Sequence, residues 1–352
     1  MAHSQALAPP ITAAARSLRP VRVWLFGVAA LVFLMVSVGG ATRLTGSGLS
    51  ITEWQPIMGV VPPLTDGAWQ EALEKYRQIP QYQHVNRGMT LHAFKRIYWW
   101  EWTHRFLARF VGVAFLLPFL YFLATGRIAR ALVPKLVGLF ALGGLQGVIG
   151  WYMVRSGLAG RIDVSQYRLA LHLSLAIVIF GGLIWIALSL GERRPREASS
   201  PPGAQRGAAV IVGLVFLQII AGAFVAGMKA GAGYNTWPLM DGQLIPQGLG
   251  AMWPWWANLF ENALTVQFNH RMLAYALAAV VLWHVWSLLR QTEDRVIRFS
   301  ASALAIAVLV QIVLGIWTLL AHVPLSLGLV HQAGAVTVFG VALWHLHVLR
   351  RG

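Results

Sequence analysis

The sequence contains no cysteine, and this absence removes several kinds of chemistry at once. It excludes disulfide frameworks, thiolate metal sites, covalent c-type haem attachment and cysteine nucleophiles. Carboxylates are scarce as well, since the 352 residues include only 12 Asp and Glu. Any metal in this protein must therefore be held by histidine or by one of these few acidic side chains.

Charge of either sign is rare, because only 11% of the residues are charged while 57% are hydrophobic. The mean hydropathy is +0.61. A soluble globular protein does not have this composition, which is typical of a membrane protein. The formal net charge of +16 comes from basic residues that lie in short clusters between apolar runs. Clusters of this kind argue against a nucleic-acid partner.

The apolar runs are long enough to cross a lipid bilayer, which requires about 20 residues of helix. Six runs qualify directly, and the uncharged stretch 299–349 provides two more spans with a break at 321–324. The six are residues 23–42, 110–126, 136–154, 169–191, 207–228 and 272–289. The sequence therefore predicts an all-α membrane protein with eight transmembrane helices, arranged as two tandem four-helix bundles.

The connections between spans alternate in charge. Arginine and lysine cluster before the first span, after every second span and at the C-terminus, at Arg16, Arg19, Arg22, Arg127, Arg130, Lys135, Arg193, Arg194, Arg196, Arg206, Arg290, Arg295, Arg298, Arg350 and Arg351. The positive-inside rule places these connections and both termini in the cytoplasm. The long loops 43–101 and 229–261 are then expected on the periplasmic side of a bacterial inner membrane.

The chain contains an internal repeat of four spans. We predict a cytoplasmic tail at 1–21, an N-terminal bundle at 22–190, a cytoplasmic linker at 191–206 and a C-terminal bundle at 207–352. Landmarks of the two halves match in order: His104-Arg105 with His270-Arg271, Gln146 and Gly150 with Gln311 and Gly315, and His172 with His331. Because each half has an even number of spans, the halves are expected to be related by a pseudo-two-fold axis along the membrane normal.

Four histidines fall at equivalent positions near the outer ends of even-numbered spans. An imidazole inside a membrane is costly unless it is paired or bound to a metal. With two histidines per half and no cysteine, the pattern favours one bis-histidine haem per half over zinc, which prefers further ligands. The predicted iron ligands are His104 and His172 in the first half, and His270 and His331 in the second.

Charged neighbours of these histidines suggest further roles. Arg105 and Arg271 directly follow a predicted ligand, and we expect them to bind haem propionates. Glu101 lies three residues before His104, on the same helical face, whereas Gln267 occupies the equivalent position before His270. This asymmetry indicates that one haem is acted upon, with Glu101 as the catalytic residue, and that the other conducts electrons.

Several motifs together resemble one known family. They are Gly39-Gly40-Ala41-Thr42-Arg43-Leu44-Thr45-Gly46-Ser47-Gly48-Leu49-Ser50, Trp54-Gln55-Pro56, Glu101-x-x-His104-Arg105, the segment from Gln146 to Leu158, Asn235-Thr236-Trp237-Pro238-Leu239-Met240, and the segment from Glu261 to Arg271. This set is similar to the haem A synthases of proteobacteria and mitochondria. The resemblance covers all eight spans and both long loops.

The resemblance implies an oxidoreductase that converts a ring methyl of haem O to a formyl group, giving haem A for cytochrome c oxidase. It implies that His104 and His172 flank the substrate haem, that His270 and His331 ligate haem b, and that Glu101 is essential. Whether Glu101 accepts a proton or stabilises positive charge stays open. Haem O synthase, cytochrome oxidase assembly factors and an unidentified electron acceptor are the implied partners.

A bis-histidine transmembrane electron-transfer cytochrome is the competing interpretation. His284 follows His270 by 14 residues, and His345 follows His331 by the same interval. On a helix, 14 residues return to nearly the same face about 21 Å further along, which would suit a second haem near the inner surface. The first half has no such pair. A carrier or structural protein with ordinary interior histidines would instead be colourless.

Overall fold

The computed structural model of this chain describes residues 18–55, 58–158, 160–191 and 200–351. This described part contains eleven α-helices and no named strand. They are α1 (Arg19–Leu44), α2 (Asp66–Arg77), α3 (Pro80–His84), α4 (Leu91–Ala124), α5 (Val133–Leu158), α6 (Gln166–Ser189), α7 (Ala204–Gly227), α8 (Asn258–Glu261), α9 (Ala263–Gln291), α10 (Arg295–Leu320) and α11 (Leu325–Arg350). All except α2, α3 and α8 are long and apolar enough to span a membrane, which confirms the predicted all-α fold with eight transmembrane helices.

Two spanning helices begin well before their charge-free runs. α4 begins at Leu91, where the Thr90 hydroxyl accepts a hydrogen bond of 3.3 Å from the backbone N–H of Ala93. α9 begins at Ala263 and is capped by the side chain of Asn262. A cap of this kind satisfies backbone N–H groups that have no partner within the helix. The first long loop is therefore shorter than the predicted 43–101, because its last ten or so residues belong to α4.

The early turns of α4 are stabilised by a small apolar cluster rather than by lipid. Phe94 and Tyr98 are buried against Trp69, Leu73 and Tyr76 of α2. We call the end of the molecule that carries this cluster and the segment 228–262 the loop end, and the opposite end the linker end. The Tyr76 hydroxyl donates a 2.9 Å hydrogen bond to Gln81 within the cluster, and burial raises the pKa of Tyr76 above its usual value.

Contacts between the spanning helices close two rings. α1 contacts α4 and α6, and α5 contacts the same two helices. In the second half α7 contacts α9 and α11, and α10 also contacts both. The halves meet where α6 packs against α7 and α11, and where α1 packs against α11. The domain boundaries and the two-fold axis stay predictions, and residues 1–17 of the predicted tail and 192–199 of the predicted linker lie outside the described residues.

The apolar core is densest toward the linker end. Five of its fully buried side chains come from four different spanning helices, namely Leu25, Ile177, Ile211, Ile297 and Leu304. The four predicted ligand histidines lie closer to the loop end. The linker end is thus packed with apolar side chains. The loop end is more polar, and the histidine sites lie there beneath the long loops.

Candidate active site

Each of the four predicted ligand histidines faces a glycine on a neighbouring helix. A Cβ atom placed on that glycine would lie about 3 Å from the imidazole, a distance tighter than most real Cβ contacts, so the ring would have to shift. The pairs are Gly39 with His104 (3.1 Å), Gly150 with His172 (3.0 Å), Gly222 with His270 (3.2 Å) and Gly315 with His331 (2.8 Å). The close approach of a histidine ring therefore favours glycine at these four positions, which form two equivalent pairs, Gly39 with Gly222 and Gly150 with Gly315.

Three of these histidines also contact a glutamine amide on the helix that carries the glycine. Each amide nitrogen lies within hydrogen-bond distance of a ring nitrogen and of the backbone carbonyl of the same histidine. The distances are 3.3 and 3.0 Å from Gln146 to His172, 3.1 and 3.0 Å from Gln218 to His270, and 3.0 and 2.7 Å from Gln311 to His331. The glutamine precedes the glycine by four residues, so both face the same histidine.

Within each half the two histidines are close enough to interact electrostatically, His104 with His172 and His270 with His331. No group of three or more metal-binding side chains occurs among the described residues. Two imidazoles without a third ligand suit the two axial positions of haem iron better than a tetrahedral zinc ion.

Buried polar atoms without a partner cluster at these histidines. His172 Nδ1 is one, and the Oε1 atoms of Gln146, Gln218 and Gln311 are three others. Buried polar groups normally have hydrogen-bond partners, so an accumulation of such atoms marks a place built for an additional group. The paired imidazoles, the glycine surfaces opposite them and these unpartnered atoms fit a bound haem in each half.

Glu101 is buried beside His104 and accepts hydrogen bonds at both carboxylate oxygens. Oε1 accepts from Arg105 at 2.6 and 3.1 Å, while Oε2 accepts from the Ser50 hydroxyl and the Ile51 backbone N–H, each at 2.8 Å. Arg105 also donates to the carbonyls of Ile51 and Glu53, each at 2.8 Å. Glu101 and Arg105 thus bind the segment 50–53 of the first loop to α4 next to His104.

Gln267 and Arg271 form the matching cluster in the second half. The Gln267 amide donates to the carbonyls of Ala230 and Tyr234, each at 3.1 Å, and its oxygen accepts from Arg271 at 3.0 Å. Arg271 in turn donates to the carbonyls of Tyr234 and Thr236, each at 2.9 Å. Both arginines predicted to bind propionates therefore hold a loop over the histidines, and propionate binding stays a prediction.

A surface ion pair supports the loop segment that Arg105 binds. Lys75 of α2 lies 2.7 Å from Glu53 and 2.8 Å from Glu71. Hydrogen bonds from these two carboxylates hold the pKa of Lys75 above its usual value. Since all three side chains are exposed, this pair contributes little stability, and its effect is to direct the segment around Glu53.

Adjacent glycines of α1 link the two histidine sites. Gly39 faces His104, whereas Gly40 lies in direct contact with the Gln332 side chain of α11. Gln332 follows His331 in sequence and donates a 2.6 Å hydrogen bond to the Val36 carbonyl of α1. One turn of α1 is thus shared by a ligand histidine of the first half and the neighbour of a ligand histidine of the second.

His284 and His345, which the competing interpretation assigns to a second haem, contact each other directly. His284 Nε2 lies 3.0 Å from His345 Nε2, and His345 Nδ1 lies 2.9 Å from the Ser300 hydroxyl. An iron atom between two imidazoles needs a nitrogen separation of about 4 Å, because each metal–nitrogen bond is about 2 Å long. Fully buried Ile297 and Leu304 fill this part of the second half. The structure does not favour a haem at this position.

The sequence prediction missed Gln218, Gly222 and Gly39. A signal for the first two is present, since the spacing Gln-x-x-x-Gly occurs at 146–150, at 218–222 and at 311–315. Only the first and last of these match between the halves. The middle one has no counterpart in the first half, where Met35 precedes Gly39 by four residues.

Comparison with known proteins identifies the family. Residues 22–343 match the model of a family described as cytochrome oxidase assembly protein. The haem A synthase of Parvibaculum lavamentivorans is 58% identical over 328 residues, which cover 93% of this chain and 94% of that protein. The haem A synthase of Azorhizobium caulinodans is 54% identical over 335 residues, with 94% and 95% coverage, and that of Chelativorans sp. is 51% identical over 345 residues, with 98% and 95% coverage.

Eight apolar helices and bacterial relatives define a multi-pass protein of the bacterial inner membrane. The chain belongs to the haem A synthase family, described as cytochrome oxidase assembly proteins, and so to the enzymes of haem A biosynthesis. The resemblance noted in the sequence is confirmed.

Proposed function

We propose that this protein oxidises a ring methyl of haem O to a formyl group and releases haem A. The observation that carries this proposal is one pair of imidazoles in each half, each ring facing a glycine, with a buried carboxylate beside the first pair only. Relatives with more than half of their residues identical bear the name haem A synthase.

The reaction defines an oxidoreductase. A methyl group and one water molecule give one formyl group, four protons and four electrons, so atoms and charge balance. The electrons leave for an acceptor outside this chain, and the protons leave through water or side chains near the loop end. Each chemical step therefore needs a route for electrons and a group that stabilises positive charge near the methyl carbon.

The first half is the proposed site of conversion, with haem O as substrate between His104 and His172. The second half is proposed to hold haem b through His270 and His331. When bound there, haem b supplies one-electron transfer. The turn of α1 at Gly39 and Gly40 contacts His104 of the first half and Gln332 of the second, which supports passage of electrons from the first half to the second.

Glu101 is proposed to act electrostatically. Its two oxygens accept four hydrogen bonds, from Arg105, Ser50 and Ile51. These hydrogen bonds fix the position of the carboxylate. Although Arg105 is its counter-charge, this carboxylate puts negatively charged oxygens beside the first pair of histidines, where they favour positive charge on the substrate, and the second half has the neutral Gln267 instead.

The orientation in the membrane follows from the charge pattern. Basic residues cluster at the linker end, at Arg127, Arg130, Arg290, Arg295 and Arg350, among others. We place this end and both termini in the cytoplasm and the histidine sites near the periplasmic surface. Haem O synthase is the proposed supplier of the substrate, and assembly factors of cytochrome c oxidase are the proposed recipients of the product.

The test is expression in a host that makes haem O but no haem A, followed by extraction and identification of the haems. The wild-type chain should produce haem A, whereas His104→Ala and His172→Ala should produce none. His284→Ala, which alters a buried histidine outside both sites, is the matched control and should retain production. Absence of haem A with the wild-type chain, or its presence with both site variants, would refute the proposal.

A further inference from the structure

Helices α1 and α7, which carry the glycines opposite His104 and His270, differ at one residue four positions before the glycine. Residues 32–35 of α1 read Val-Phe-Leu-Met, and residues 215–218 of α7 read Val-Phe-Leu-Gln. Four residues later each helix has the glycine that faces a histidine, Gly39 for His104 and Gly222 for His270. Met35 therefore occupies the position from which Gln218 binds its histidine.

Methionine cannot replace the amide, because a thioether sulfur has no N–H group and is only a weak hydrogen-bond acceptor. Among the described residues, the imidazole of His104 makes no hydrogen bond, and the other three ligand histidines each contact a glutamine. The ring of His104 is also turned differently. Its Nε2 and Cδ2 atoms face Gly39, whereas His172, His270 and His331 present Cε1 to their glycines.

A histidine that binds iron through one ring nitrogen carries a proton on the other, and the buried, unpartnered Oε1 of Gln146, Gln218 or Gln311 is the acceptor available to that N–H. An outer hydrogen bond of this kind fixes the orientation of a metal-binding histidine and typically changes metal affinity by about 10- to 100-fold. A ligand without such a bond rotates away from the metal more readily. The first half therefore combines one held imidazole, His172, with one that is not held, His104. The second half holds both of its imidazoles.

We infer that His104 is the exchangeable axial ligand, and that Met35 is the positioning residue that makes it exchangeable by withholding an amide from its ring. This inference rests on the proposed function, since it takes the paired imidazoles as haem ligands. The distribution of amides matches the task of each half. A converting half must take in haem O and release haem A in every cycle, and a conducting half must keep its haem.

Carbon monoxide binding tests this directly, because the gas binds ferrous haem only where an axial ligand has left the iron. In purified, reduced protein with one haem in each half, we expect carbon monoxide to bind about half of the total haem rapidly. Met35→Gln, which introduces the amide with little change in side-chain volume, should slow this binding about 10- to 100-fold. Gln218→Met should make the haem of the second half reactive by a similar factor.

Met35→Leu is the matched control, since it changes the same side chain without adding an amide and should retain the wild-type rate. Equal reactivity of the two haems in the wild-type protein would overturn the inference, as would an unchanged rate in folded Met35→Gln. Should Met35→Gln fail to fold, the wild-type ratio and Gln218→Met still decide the question. Failure of the proposed function looks different, because haem content would then not depend on the four ligand histidines.

Discussion

Glu101 and Gln267 occupy equivalent positions in the two halves, but their side chains face backbone groups of opposite polarity. Each lies three residues before a ligand histidine and binds an arginine four residues later. Glu101 accepts from the Ile51 N–H, whereas Gln267 donates to the carbonyls of Ala230 and Tyr234. The loop above each site therefore selects the side chain, a carboxylate where it offers donors and an amide where it offers acceptors.

Replacing Glu101 with Gln should disrupt the first site. The amide NH2 accepts no hydrogen bond, and its single oxygen cannot accept all four. Arg105 also loses its buried counter-charge. We expect the free energy of unfolding to fall by about 2–3 kcal/mol and haem A production to be lost. Thermal unfolding in detergent and haem extraction measure the two effects.

The reciprocal change Gln267→Glu serves as the matched comparison. It would place a carboxylate against the carbonyl oxygens of Ala230 and Tyr234, so the second half should lose stability and haem. If Glu101→Gln unfolds at the wild-type temperature and still yields haem A, the hydrogen bonds at Glu101 have no role in either property.

The glycines opposite the histidines leave little room for a side chain. In Gly150→Ala the new Cβ would lie 3.0 Å from His172 Cε1, and the ring would have to move. We expect the haem bound by the first half to decrease by most of its amount, measured as haem per protein after purification. Gly147→Ala in the same helix is the control, because nothing lies within 4 Å of its Cβ position. Equal haem content in the two variants would contradict this explanation of Gly150.

The sequence alone predicted the eight spans, the four histidines and the family, because hydropathy and the repeat are local properties of the chain. It placed the start of α4 too late, since the turns from Leu91 to Glu101 contain charged and aromatic residues that pack against α2 instead of lipid. Apolar run length detects lipid contact, and it does not detect a helix that continues beyond the membrane.

The roles of the arginines and glutamines depended on contacts between distant segments. Arg105 was assigned to propionates because it follows His104, yet its donors reach carbonyls about 50 residues earlier in the chain. Gln218 was overlooked because comparison between the halves finds Met35 at its counterpart. A functional difference between repeats appears in such a comparison only as a mismatch, which is indistinguishable from ordinary drift until the structure shows what each residue contacts.

The inner histidine pair should be structural. His284 and His345 bind each other at 3.0 Å, and removing either leaves the other buried without its partner. His284→Ala should therefore lower the free energy of unfolding by about 1–3 kcal/mol and leave the haem content per chain unchanged. A loss of one haem per chain would instead revive the electron-transfer interpretation.

The shared turn of α1 predicts coupling between the halves. A Cβ on Gly40 would overlap the Gln332 side chain, so Gly40→Ala should push α11 away from α1 near His331. We expect haem to remain bound in both halves while haem A formation slows, because the disturbed contact lies between the two sites. Gln332→Ala alone removes the 2.6 Å hydrogen bond to Val36 and should have a milder effect. Combined with Gly40→Ala it also removes the overlapping atoms, so the double variant should be more active than Gly40→Ala alone. Such non-additivity is typical of residues in direct contact, and additive effects of the two substitutions on the rate would show that this turn does not link the sites.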